Sequence, residues 1–211
     1  ENMSYFIGDD AKEYDIFGAT GPRGQRMDEY FEAIIAIWTQ EKATYHGEYV
    51  DFEEIDVFPK PIQKPYPPIV IGGRAPQAQR RAAKYADGWI PSQVTTDEIR
   101  PAVENIRSLR TEFGRDPDPG IVGINVHSII AGSDEEAERL ITPTVGHMFA
   151  DAEQLRARTL TGSVDTFRRR VLEYRDAGVN YVELKPAYSS IDHLVEQMQI
   201  IRDEVMPAVA N

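Results

Sequence analysis

An α/β fold built on a parallel sheet is what this sequence predicts, and three observations carry the prediction. Short apolar, β-branched runs alternate with amphipathic helical segments about four times along the 211 residues. No section is dominated by hairpins, so successive strands need crossover helices. The stretch Pro67–Pro91, PPIVIGGRAPQAQRRAAKYADGWIP, holds a complete strand, glycine turn, helix, strand unit. Four strands cannot close an eight-stranded barrel. The order therefore fits either a small open doubly wound sheet or the later part of a (β/α)8 barrel, in one domain spanning residues 1–211.

Taken in order, residues 1–25 are dotted with Gly8, Gly18, Gly21, Pro22 and Gly24 and read as loop. Around Arg26 the pattern turns helical, with Met27, Tyr30, Phe31, Ile34, Ile35 and Trp38 on one stripe. Residues 41–66 form an irregular excursion with a short hairpin, ending in the stiff run PKPIQKPYPP before a strand at 68–72. Ile69, Val70 and Ile71 have the continuous apolar character of a strand covered on both faces. Gly72-Gly73 turns the chain, and Pro76 sits in the first helical turn, where a missing N–H costs nothing. Asp87-Gly88 ends that helix and Trp89-Ile90 begins the next strand.

Thr95-Thr96-Asp97-Glu98 starts a helix that runs to about Phe113 and stops at Gly114. Ile121–Ala131 is the third strand-like run. Ser133 caps helical material from 134 to 160, interrupted at Thr142-Pro143 and Gly146. Ser163 begins a helix ending at Gly178, Val179–Leu184 is the fourth strand, and Ser190 or Asp192 caps a last helix to about Met206.

The central unit also has a chemical reading. Flexible backbone before an uncapped helix start, with Arg74 beside it, offers N–H donors, a favourable dipole and a cation to an anion such as phosphate. The structural alternative is a plain tight turn with Arg74 in solvent. Composition limits the partners: 35 acidic against 23 basic residues leave a net charge of −12, which disfavours nucleic acid and anionic membrane surfaces. Absence of cysteine excludes disulfides and thiolate chemistry and suits a cytoplasmic protein. No apolar run reaches membrane-spanning length, and the first residues lack the features of a signal peptide.

His46, His127, His147 and His193 never fall at metal-ligand spacing, so no metal is expected. His127 lies within a strand run and reads either as a hydrogen-bonded structural residue or as a lining of the site. Trp89 and Ser92 close the second strand and Lys185 the fourth, where barrel strands face their ligands. G-x-S-x-G, P-loop and G-x-G-x-x-G motifs are all absent, leaving acyl transfer and nucleotide hydrolysis without support.

Four ordered segments resemble the luciferase-like flavin- or deazaflavin-dependent oxidoreductases. They are KEYDIFGATGPRGQRMDEYFEAIIAIWT, YHGEYVDFEEIDVFPKPIQKPYPPIVIGG, RRAAKYADGWIP and GSVDTFRRRVLEYRDAGVNYVEL, which together span about Lys12 to Leu184. The resemblance implies a (β/α)8 TIM barrel of the bacterial luciferase-like type, lacking here its N-terminal strands. It implies binding of FMN, or of coenzyme F420, with the phosphate at Gly72, Gly73 and Arg74 and with Arg26 as a second cation. Trp89, Ser92 and His127 then become candidates for the substrate or ring pocket. Catalytic residues are not carried over, because in such proteins many come from strands that are not matched here. The reading is thus an FMN-dependent monooxygenase acting on a small organic molecule. Open alternatives are an F420-dependent hydride-transferring enzyme, a non-catalytic flavin-binding relative or inert fragment, and a barrel holding a sugar phosphate. A homodimer is the assembly considered.

Overall fold

A computed structural model describes residues 5–7, 13–15 and 23–209. Backbone contacts divide the chain into two compact units, Glu1–Pro68 and Ile69–Asn211.

In the first unit, β1 (Tyr5–Ile7) and β2 (Glu13–Asp15) pair antiparallel inside the region expected to be loop, while Gly8, Gly18, Gly21 and Pro22 lie outside the described residues. Helix α1 (Arg23–Thr39) starts three residues ahead of Arg26. The expected hairpin is β3 (Ala43–His46) with β4 (Asp51–Ile55). Carboxylates of α1 fasten it: Glu29 accepts from the amides of Glu48 (3.0 Å), Tyr49 (2.8 Å) and Val50 (3.2 Å). Desolvation alone would push the Glu29 carboxyl up, but the three amide donors overcome it and hold it below its ordinary range. Tyr45 donates to Glu32 at 2.9 Å, and the Arg26 guanidinium lies 5.0 Å from the Tyr49 ring centroid. Residues 59–68 form neither helix nor strand.

The second unit alternates strand and helix: β5 (Val70–Ile71), α2 (Pro76–Tyr85), β6 (Gly88–Trp89), α3 (Thr96–Glu112), β7 (Ile121–Ile130), α4 (Asp134–Val145), α5 (Ala152–Arg158), β8 (Leu160–Gly162), α6 (Val164–Asp176), β9 (Tyr181–Pro186), α7 (Ile191–Ile200) and α8 (Met206–Val209). A 3-10 turn, Gly146–Met148, follows α4, and a π-helical turn, Ile201–Val205, joins α7 to α8. Every strand pair is parallel: β5 with β6, β6 with β7, and β7 with β9 from Gly123↔Tyr181 to Ser128↔Pro186. Strand β8 adds itself to the end of β7, Ser128↔Leu160 to Ile130↔Gly162. Sequence periodicity missed it, because three residues (Leu-Thr-Gly) carry no pattern and the pairing is made only in the tertiary structure.

The helix starts follow local chemistry. Ser133, Ser163 and Ser190 accept from the amides of Glu136, Thr166 and His193. Thr95 and Glu98 form a reciprocal capping box on α3. Strand alternation then sorts the side chains. Ile71, Trp89, Val122, Ile124 and Val126 are buried on one face, and Ile129 packs with Ala137, Ile141, Val145 and Leu155 in a core under α4 and α5. The face opposite Trp89 carries Val70, Ser92, Asn125 and His127, with Tyr181, Glu183 and Lys185 from β9 in register, and it stays half-buried to exposed.

Candidate functional site

The carboxyl ends of the strands gather the polar groups. After β5 the backbone passes through Gly72 and Gly73, and residues 72–77 are all exposed. Gly73 has φ +98°, a left-handed conformation that a side chain would strain. The helix that follows begins at Ala75, with Pro76 in its first turn and no side chain capping it. Arg74 is exposed, its Nη1 3.5 Å from the Gln93 carbonyl. An uncapped helix start and one guanidinium, with no acidic side chain in the turn itself, make a donor set that fits a phosphate.

Trp89 supports this turn from behind. It is 1% exposed, it lies on the helix-covered face of the sheet, and its Nε1–H donates to the Gly73 carbonyl at 2.8 Å. Trp89 therefore does not share a surface with Ser92 and His127. Those two point to the open face, where Ser92 Oγ donates to Asn125 Oδ1 at 3.3 Å and His127 stands opposite Lys185. Partial burial first, and the Lys185 ammonium second, push the His127 imidazole below its ordinary value, favouring the neutral ring. Arg26 belongs to the first unit, where its Nε is buried without a hydrogen-bond partner and its guanidinium stacks on Tyr49.

The loop after β6 holds groups that sequence reasoning did not connect. Gln93 adopts φ +54°, and its carbonyl also accepts from Arg158 Nη1 at 2.6 Å. Arg158 in turn makes a two-pronged ion pair with Glu98, both contacts 2.8 Å. That pairing first, with the Thr95 amide assisting against partial burial, holds the Glu98 carboxyl below its ordinary range. A cleft of about 400 Å3 opens here, lined by Arg74, Gln79, Trp89, Val94, Asp97 and Glu98 among others. The Thr95-x-x-Glu98 spacing was visible in the sequence; Arg158, 60 residues further on, gave no signal.

The model of the luciferase-like monooxygenase family matches residues 7–154, well over half of the chain. An FMNH(2)-dependent dimethylsulfone monooxygenase of Pseudomonas putida is 28% identical over 123 residues, covering 58% of this chain and 33% of that protein. Among solved structures, an F420-dependent secondary alcohol dehydrogenase in complex with an F420–acetone adduct superposes with a TM-score of 0.77 at 14% identity, over 90% of this chain and 62% of that one. The oxygenating constituent of 3,6-diketocamphane monooxygenase from Pseudomonas putida, in complex with FMN, gives 0.68 at 18% identity, over 90% and 64%. The chain thus spans a third of the curated relative's length and under two thirds of either solved structure. At such identities the structural likeness carries the fold, a TIM-barrel type with a parallel sheet. With the family model matched across β5, α2, β6, α3 and β7, the chain belongs to the luciferase-like monooxygenase family.

Proposed function

We propose that this chain is the later portion of a (β/α)8 barrel in an oxidoreductase whose redox chemistry is supplied by a flavin-type cofactor. The observation that carries the reading is the exposed Gly72-Gly73-Arg74 turn ahead of an uncapped α2, at the strand end where such barrels hold ligands. In this reading the turn and Arg74 hold the phosphate. Ser92 and His127 line the ring or substrate pocket, with Trp89 fixing the turn through the Gly73 carbonyl. Bound FMN, reduced and with O2, supplies oxygenation of a small organic substrate. The chain's own task is to anchor the phosphate, to present a neutral imidazole and a lysine along the open face, and to exclude water from it.

A second reading, hydride transfer with F420, is favoured by the likeness to the F420-dependent alcohol dehydrogenase. The FMN reading stands first because the sequence relative is described as FMNH(2)-dependent, whereas the other likeness is one of fold. Fluorescence titration of the chain with FMN and, separately, with F420 tests both. Saturable binding of one cofactor, weakened by Arg74→Ala and by Gly73→Asp, is the expected result. A folded chain that binds neither would overturn the assignment of the turn.

A further inference from the structure

Arg74 has a rival for its charge. Glu98 lines the same cleft, and its carboxylate feels the Arg74 guanidinium. Left alone, that carboxylate would attract Arg74 and repel a phosphate arriving at the Gly73 turn. Arg158 stands between these outcomes. Its guanidinium occupies both oxygens of Glu98 at 2.8 Å and contributes a 2.6 Å hydrogen bond to the Gln93 carbonyl, to which Arg74 reaches only at 3.5 Å. Arg158 comes from the last residue of α5, remote in sequence from the turn, and its side chain is 22% exposed against 43% for Glu98. Tyr174 adds a second restraint on the same loop, donating to the Val94 carbonyl at 2.6 Å.

We infer that Arg158 is a positioning residue for the phosphate turn: it neutralises Glu98 and satisfies the Gln93 carbonyl, so that Arg74 stays available to an anion. The inference rests on the cofactor reading above and adds to it a residue outside the turn. Its core is electrostatic, which separates it from a purely structural role. Removing Arg158 exposes a negative charge beside the phosphate; removing that charge as well repairs the defect. Glutamine at position 98 retains an oxygen to accept from the Thr95 amide, so the capping bond of α3 survives the repair.

The experiment compares Arg158→Gln, Glu98→Gln, their double variant and Arg74→Ala by fluorescence titration with FMN and with riboflavin, which lacks the phosphate. If F420 is the cofactor that binds, F420 and its phosphate-free deazaflavin chromophore take their places. Arg158→Gln is expected to weaken the phosphorylated cofactor about tenfold, the order set by one unscreened charge several Å away at intermediate dielectric. The phosphate-free compound should change less than about twofold, and the double variant should return to within about twofold of the unaltered chain. Equal weakening of both compounds by Arg158→Gln, or no recovery in the double variant, would show that Arg158 only braces the loop, and the inference would be wrong. Should Arg74→Ala leave the phosphorylated cofactor unaffected, the phosphate reading itself fails and this inference with it. Weakening by Arg74→Ala without rescue at Arg158 and Glu98 overturns the inference alone.

Discussion

At the amino ends of β5, β6, β7 and β9 the polar groups are used up within the protein. The Asp87 carboxylate accepts from the Ile69 amide at 3.0 Å and pairs with Arg115 at 3.4 Å. Arg110, 6% exposed, donates to the Ala86 carbonyl at 2.8 Å and to the Asp116 carbonyl at 2.5 Å. Asn180 bridges the Val122 amide and the Gly120 carbonyl. The carboxyl ends are more open: residues 72–77, Ser92 and Lys185 are exposed and His127 is half-buried, although Ser92 bonds Asn125 and Arg158 pairs with Glu98. One short signature, Asp87-Gly88-Trp89, spans the distance between the two ends. Its aspartate closes one end, while its tryptophan braces the turn at the other. The contrast teaches that polarity alone does not mark a candidate site, since the charged groups at the amino ends already have their partners in place.

The sharpest way to break this contrast is at Gly88. A Cβ there would lie 2.6 Å from the Ile121 Cβ and 3.0 Å from the Ile121 carbonyl oxygen, both on the neighbouring strand. Gly88→Val is expected to cost about 3 kcal/mol in urea unfolding, the upper range for overpacking. Cofactor affinity of the fraction that remains folded should be unchanged. Arg110→Met comes next, with an expected loss of about 2 kcal/mol, because two carbonyls at the closed end lose their donor. A loss under about 0.5 kcal/mol would mean that water replaces the guanidinium and that this end is less closed than the geometry indicates.

Arg74→Ala probes the open end and should behave in the opposite sense. An exposed arginine with one long hydrogen bond is expected to change stability by less than about 0.5 kcal/mol. The same substitution is expected to weaken binding of the phosphorylated cofactor about tenfold. Denaturant midpoint and fluorescence titration on one preparation measure both effects. Substantial destabilisation with unchanged affinity would reverse the roles assigned to the two ends.

How much of this could be read from the chain follows the range of the interactions. The helix starts at Thr95, Ser133, Ser163 and Ser190 were legible because a cap acts within three residues. The Gly72-Gly73 turn was legible for the same reason. The side of the sheet that Trp89 occupies was not, since β6 has only two residues and alternation needs a longer run to set its phase. Glu29, which gathers three amides from 19–21 residues away, lay unmarked inside the first of the segments that resemble the family. The Arg158–Glu98 pair has no local pattern, because it exists only once α5 and α3 have been brought together.

The smallest expected effect is a matter of protons. The imidazole of His127 is held below its ordinary value of 6.5, by partial burial first and by the Lys185 ammonium second. A base depressed in the folded state binds protons more readily when unfolded. Its contribution to stability is therefore present above pH 6.5 and is lost as pH falls through the lower folded value. His127→Asn should flatten that part of the acid-side fall in melting temperature, and Lys185→Met should move the ring's titration part of the way back up. His46 supplies an internal reference of opposite sign: its hydrogen bond to Asp51, at 2.6 Å on the exposed hairpin, raises its pKa. Proton NMR of the two rings in one titration distinguishes them. His127 titrating at or above His46 would mean that the open face of the sheet is fully hydrated there, and that His127 is no part of a pocket.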